Sequence, residues 1–82
     1  NEPFNAIPYF EKAITGQPNH SVAYLSLGKC YEATQQWVNA SATYEKGIAV
    51  AAKRGDQMPL GDMQQRMERL KTIISPDMIQ KT

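Results

Sequence analysis

Cysteine and histidine are almost absent from this 82-residue chain, since each occurs once, as Cys30 and His20. A single cysteine cannot form an internal disulfide, and neither residue has a partner at the spacing of metal ligands. A nucleophile, a base and an orienting acid cannot be assembled around one histidine, and the five glycines are too scattered to form a phosphate-binding loop. His20 is therefore predicted to be a turn or capping residue and Cys30 a structural residue of a helix. The sequence predicts no catalytic activity, no cofactor and no metal site.

Charge of one sign and long apolar runs are equally scarce. Nine Lys and Arg against eight Asp and Glu give a formal net charge of +1, which creates no basic field for nucleic acid. The longest apolar run, residues 48–52, is far shorter than the roughly 20 residues that span a bilayer. These absences argue against nucleic acid and membranes as partners. The lone cysteine favours a reducing compartment, so a cytoplasmic location is expected, with a targeting signal before Asn1 left open.

What the chain does contain is self-similarity at an offset of 34 residues. Phe-Glu-Lys-Ala-Ile at residues 10–14 recurs as Tyr-Glu-Lys-Gly-Ile at residues 44–48, and Asn-Ala at residues 5–6 recurs at residues 39–40. Both copies share the pattern small-x3-aromatic-x2-small, which places these three side chains on one face of a helix.

A second pattern lies between the two copies. It consists of Tyr24, Leu27 and Tyr31, which are large residues at i, i+3 and i+7, and of Gly28 at i+4. A glycine inside a helix costs about 1 kcal/mol relative to alanine, so Gly28 is predicted to lie where a second helix packs closely.

These patterns resemble the tetratricopeptide repeat, whose consensus reads W-x2-L-G-x2-Y, then A-x3-F, then P, over 34 residues. The departures are Tyr24 for Trp, Gly47 for Ala and Ala52 for Pro. The resemblance implies an all-α fold of about four helices, arranged as antiparallel pairs of an αα superhelix. It divides the single domain, residues 1–82, into the second half of one repeat (1–20), one full repeat (21–54), a C-terminal capping helix (55–75) and a tail (76–82).

Local signals place the first three helices at residues 5–15, 21–33 and 37–54. Asn5 is the predicted N-cap of the first helix, and Pro8 falls in its first turn. His20 or Ser21 is expected to cap the second helix, and Gly55 to end the third.

A fourth helix is predicted over residues 56–74, with a start at Asp62 as an alternative because Pro59 and Gly61 weaken the first turns. Its apolar stripe is predicted to pack against the third helix and consists of Leu60, Met63, Met67, Leu70 and Ile74. Its other face is polar and predicted to be solvated, as in a cap that closes a repeat array; Arg66 and Arg69 belong to that face. A partner-binding role for the methionines of the stripe is the less favoured alternative.

The resemblance implies a partner-binding surface on the second helix, where the family's concave groove is lined. The matching residues are Val22, Leu25, Ser26, Lys29, Glu32 and Ala33. Helical spacing puts Val22, Leu25 and Lys29 on one side, and Leu25 is expected to be solvent-exposed. The alternative is that these residues are ordinary surface or contact a helix that precedes Asn1. Leu25, Ser26 and Lys29 stand where relatives that grip a C-terminal carboxylate carry Lys and Asn, so that activity is not expected.

The resemblance therefore implies a non-catalytic scaffold or adaptor module that binds a protein or peptide partner. The alternative is a self-association element, in which an apolar face of residues 1–20 joins copies of the chain into a homo-oligomer.

Overall fold

The computed structural model describes residues 2–74, which form four helices and, within that range, no strand. The helices are α1 (Glu2–Gly16), α2 (Ser21–Ala33), α3 (Trp37–Arg54) and α4 (Gln57–Ile73). Each helix packs against the next in the chain, and α4 also contacts α2. The all-α fold is as the sequence predicts. The predicted tail lies outside the described residues.

The bounds of α2 and α3 match the prediction, whereas the start of α1 does not. α1 begins at Glu2, so Asn5 lies inside the helix and is not its N-cap. The prediction that Pro8 falls in the first turn is wrong, because Pro8 is the seventh residue of α1. A proline there removes one backbone hydrogen bond from the helix. Pro3, at the second helical position, has the backbone angle that favours an earlier start.

The ends of the helices combine predicted and unpredicted features. Gly55 ends α3 in the left-handed region at φ 76°, and the next N–H, that of Asp56, donates to the carbonyl of Ala51 at 2.9 Å. Neither His20 nor Asp56 makes a side-chain capping hydrogen bond, and the Ser21 hydroxyl donates to Asp56, so the side-chain cap expected on α2 from His20 or Ser21 is absent. The alternative start at Asp62 is wrong, because α4 begins at Gln57. Pro59 is tolerated because it is the third residue of α4, where a backbone N–H has no intrahelical partner.

The hydrophobic core lies between α2, α3 and α4. Tyr44, Met63 and Leu70 are its largest fully buried side chains. The predicted stripe of α4 belongs to this core, since Met63, Leu70 and Ile74 are buried while Leu60 and Met67 pack against them partly exposed. α1 covers one side of α2 and contributes no fully buried residue. α2 is therefore the helix in contact with all three others.

Candidate functional site

The six residues predicted on the exposed side of α2 do not form one patch. The exposed ones are Val22, Lys29 and Ala33, and the partly buried ones are Leu25, Ser26 and Glu32. They lie in different surroundings, because α2 has α1 on one side, α4 on another and the interhelical loops at its N-terminal end.

Glu32 joins α2 to both α3 and α4 through its carboxylate. The Tyr44 hydroxyl and Arg66 Nη1 both donate to Glu32 Oε2, the latter at 3.2 Å, and Arg69 Nη2 donates to Oε1 at 2.8 Å. Only 11% of the Glu32 side chain remains exposed. Glu32 is thus engaged within the chain, and its place in the partner-binding set stays a prediction.

The same network fixes the charges of its members. Burial disfavours ionisation of Glu32, but the hydrogen bonds from Tyr44, Arg69 and Arg66 outweigh burial and hold its pKa below the ordinary value. Burial, and then the hydrogen bond to Glu32 and the negative charge of Glu32, raise the pKa of the Tyr44 hydroxyl. Tyr44 is therefore a neutral donor to a charged acceptor at neutral pH.

The side chains of Arg66 and Arg69 differ in their exposure to solvent. Arg66 Nε donates to Asp62 at 2.9 Å, and its side chain is only 25% exposed. Arg69 is 59% exposed, and within the described part of the chain only its Nη2 group is engaged. Arg69 thus presents free donors to solvent beside Glu32.

The network around Glu32 lies within a larger surface of α2 and α4, of which the sequence predicts only the α2 residues. We call it the α2/α4 surface; it consists of Leu25, Lys29 and Glu32 on α2 and Asp62, Arg66, Arg69 and Ile73 on α4. Each set follows a spacing of three or four residues and so lies along one side of its helix. The sequence predicts Arg66 and Arg69 on a solvated face, although the spacing of 62, 66, 69 and 73 parallels that of 25, 29 and 32.

The expectation that Leu25 is solvent-exposed is wrong. Its side chain is partly buried and packs against the core cluster. The physical reason is helical spacing: Leu25 lies two turns before Glu32, on the side of α2 that α4 covers.

Lys29 and Ala33 line a cleft of about 370 Å³ between α2 and the first turns of α1. Cys30 also lines this cleft and is partly buried. Burial raises the pKa of the Cys30 thiol, and the charge of Lys29 offsets this only in part. A protonated thiol is a poor nucleophile, which fits the structural role predicted for Cys30.

Val22 lies at the other end of α2, in an open cleft of about 660 Å³ beside the interhelical loops. There the Ser21 hydroxyl donates to Asp56 Oδ2 at 2.7 Å, and Arg54 Nε donates to the same oxygen at 3.0 Å. These hydrogen bonds, from Ser21 first, lower the pKa of Asp56. They tie the start of α2 to the start of α4.

Residues 2–74 contain neither a cluster of metal-ligating side chains nor a membrane-spanning helix. No three His, Cys, Asp or Glu side chains come together in a way that would hold a metal ion. None of the four helices is both long enough and apolar enough to cross a membrane.

Comparison with known proteins gives a consistent picture. A family model described as tetratricopeptide repeat matches residues 3–58. No curated protein matches the chain. Two solved structures, both of a tetratricopeptide repeat domain protein from Salinibacter ruber, are similar to it. The solution NMR structure is 28% identical with a TM-score of 0.82 and covers 90% of this chain and 75% of its own. The crystal structure is 29% identical with a TM-score of 0.81 and covers 88% and 80%.

Proposed function

Because the chain belongs to the tetratricopeptide repeat family, we propose that it is a non-catalytic module that binds a peptide or partner protein through Val22 of α2 together with the α2/α4 surface. Modules of this family generally serve protein–protein interaction. The observation that carries the proposal is the exposure of Val22 and Lys29 on a helix that α1, α3 and α4 otherwise enclose.

The composition of this face suits a peptide better than a small molecule. Val22 is 50% exposed and offers apolar area, while Lys29 and Arg69 offer charge-assisted donors. The clefts at either end of α2 are open rather than enclosed, whereas small-molecule sites bury most of their ligand. An extended peptide that runs along α2 would contact Val22, Lys29 and Arg69 together.

The experiment compares two valines in equivalent positions. Val22 is the second residue of α2 and is 50% exposed; Val38 is the second residue of α3 and is 52% exposed. Proteins captured from a lysate by the wild-type chain and by Val38→Asp, but not by Val22→Asp, are the expected partners. Calorimetry with the purified partner should show at least a tenfold loss of affinity for Val22→Asp, about 1.4 kcal/mol. Equal affinity of both variants would remove α2 from the interface.

Self-association through α1 is the second candidate function. Phe4 and Tyr9, two large apolar side chains of α1, are 53% and 70% exposed. At the offset of 34 residues, Phe10 of α1 corresponds to Tyr44 of α3, yet Tyr44 is fully buried and Phe10 only partly. A face that α2 and α4 cover on α3 is thus partly open on α1.

Analytical ultracentrifugation over a range of concentrations tests this candidate. If α1 mediates a homo-oligomer, the average mass should rise with concentration and return to that of a monomer in Tyr9→Lys. Val38→Lys serves as the matched control, because it places the same charge at an exposed apolar position of α3. A monomer at all concentrations would exclude this candidate.

A further inference from the structure

We propose that the α2/α4 surface recognises an acidic peptide segment, whose Asp or Glu side chains contact Lys29 and Arg69. The inference rests on the proposed function and specifies the chemistry of its partner. The Glu32 carboxylate lies between the guanidinium groups of Arg66 and Arg69, so the surface already accommodates a carboxylate at this point.

Glu32 does not engage all of the hydrogen-bond donors beside it. Arg69 keeps its Nε and Nη1 groups free of hydrogen bonds to residues 2–74, and more than half of its side chain is exposed. Lys29 is exposed and makes no ion pair with any described residue. Because Lys29 is three residues before Glu32 on α2, it flanks the carboxylate from the side of α2, as Arg69 does from the side of α4.

The charges of this surface do not cancel. Three cations, Lys29, Arg66 and Arg69, stand against two carboxylates, Glu32 and Asp62, of which Glu32 is largely buried. Among the residues of the α2/α4 surface, the charges that reach solvent are therefore mainly positive, although Glu2 of α1 lines the same cleft as Lys29. The whole chain carries a net charge of only +1, so this local excess is a property of the surface and not of the molecule.

The arrangement favours several side-chain carboxylates over one chain terminus. Lys29 and Arg69 are on different helices with Glu32 between them, so a ligand that contacts both needs acceptors on either side of Glu32. Ile73, one turn after Arg69 and 39% exposed, adds an apolar contact at the same edge. The expected segment thus contains at least two acidic residues and a neighbouring apolar one.

Panning a phage library of random 12-residue peptides against the whole chain tests the proposal. The selected peptides should be enriched in Asp and Glu, and their synthetic forms should bind more weakly as salt rises. The variant K29E/R69E should weaken binding of these peptides at least tenfold and should itself select peptides rich in Lys and Arg. Amidation of the peptide C-terminus should leave binding unchanged.

The matched control is K46E/K53E, which changes the net charge by the same amount on exposed positions of α3. It should bind the selected acidic peptides within twofold of the wild type. A loss of binding equal to that of K29E/R69E would show that net charge, and not this surface, attracts the peptides and would overturn the proposal. Neutral or basic selected peptides that Val22→Asp still weakens would overturn it too, while leaving the proposed function in place. Failure to select any peptide would count against both.

Discussion

Gly28 of α2 lies directly against the ring of Tyr44 in α3. A Cβ built on Gly28 would come within 2.6 Å of both Cδ1 and Cζ of that ring, closer than real Cβ atoms approach other atoms. Tyr44 cannot move aside easily, because it is fully buried and its hydroxyl donates to Glu32. The packing of α2 on α3 and the network around Glu32 thus depend on the same ring.

Replacing Gly28 by alanine should therefore destabilise the fold. Overpacking a core costs about 1 to 3 kcal/mol, and the gain in helix propensity returns at most about 1 kcal/mol. Gly61→Ala is the matched control, since Gly61 is also within a helix but has no atom near its Cβ position. Urea denaturation followed by circular dichroism should show a lower free energy of unfolding for Gly28→Ala and an unchanged or higher one for Gly61→Ala. Equal effects would mean that α2 and α3 do not approach as described.

Much of this fold could be predicted from the sequence, because its signals are local or repeated. Gly28 predicts the close contact with α3, and Gly55 predicts the end of α3. The start of α1 differs from the prediction because Asn5 is a good cap residue by type, whereas the preference of Pro3 for the first turn favours the start at Glu2.

The site was harder to predict than the fold. The exposure of Val22 and Lys29 follows from the helical period of α2 alone. The engagement of Glu32 by Arg66 and Arg69 depends on how α4 is rotated and how closely it lies to α2. The pattern of a single helix does not contain that information, so the sequence predicts Arg66 and Arg69 to be solvated.

Two leucines separated by one residue on α2 should respond differently to a charge. Leu27 is 5% exposed, and an unpaired buried carboxylate there should cost several kcal/mol, comparable to the whole stability of a small domain. Leu27→Glu is expected to unfold the chain. Leu25→Glu should be destabilising but folded, because Leu25 is only partly buried. Val22→Glu, at an exposed position, should change the free energy of unfolding by about 0.5 kcal/mol or less. Circular dichroism melts of the three variants check this order.

The role of α4 in the core can be tested with Leu70 and Ile73. Leu70 is 1% exposed, and truncating such a side chain to alanine costs about 2 to 5 kcal/mol. Ile73→Ala, at a position 39% exposed, should cost less than about 1.5 kcal/mol. Thermal melts should place Leu70→Ala well below Ile73→Ala. The reverse order would mean that α4 packs through its other face.

The pKa of Glu32 gives the fold a dependence on acid that can be assigned to one residue. The pKa of Glu32 in the folded chain lies below its ordinary value of 4.5, so near and below that pH the unfolded chain binds the proton more readily. Stability from this group is then fully present above pH 4.5 and is lost as the pH falls through the folded pKa. Asp56, whose pKa is also lowered, contributes in the same direction, so wild type alone cannot assign the effect.

The measurement is therefore the difference in free energy of unfolding between wild type and Glu32→Gln, from urea denaturation between pH 3 and pH 7. Gln keeps the size of the side chain but cannot ionise, so the wild type should be the more stable at pH 7 and lose that advantage toward pH 3. Glu68→Gln is the control, because Glu68 is 74% exposed and pairs only with Lys71 among the described residues. If the difference for Glu32→Gln does not change with pH, the hydrogen bonds from Tyr44, Arg66 and Arg69 do not favour the charged carboxylate in solution.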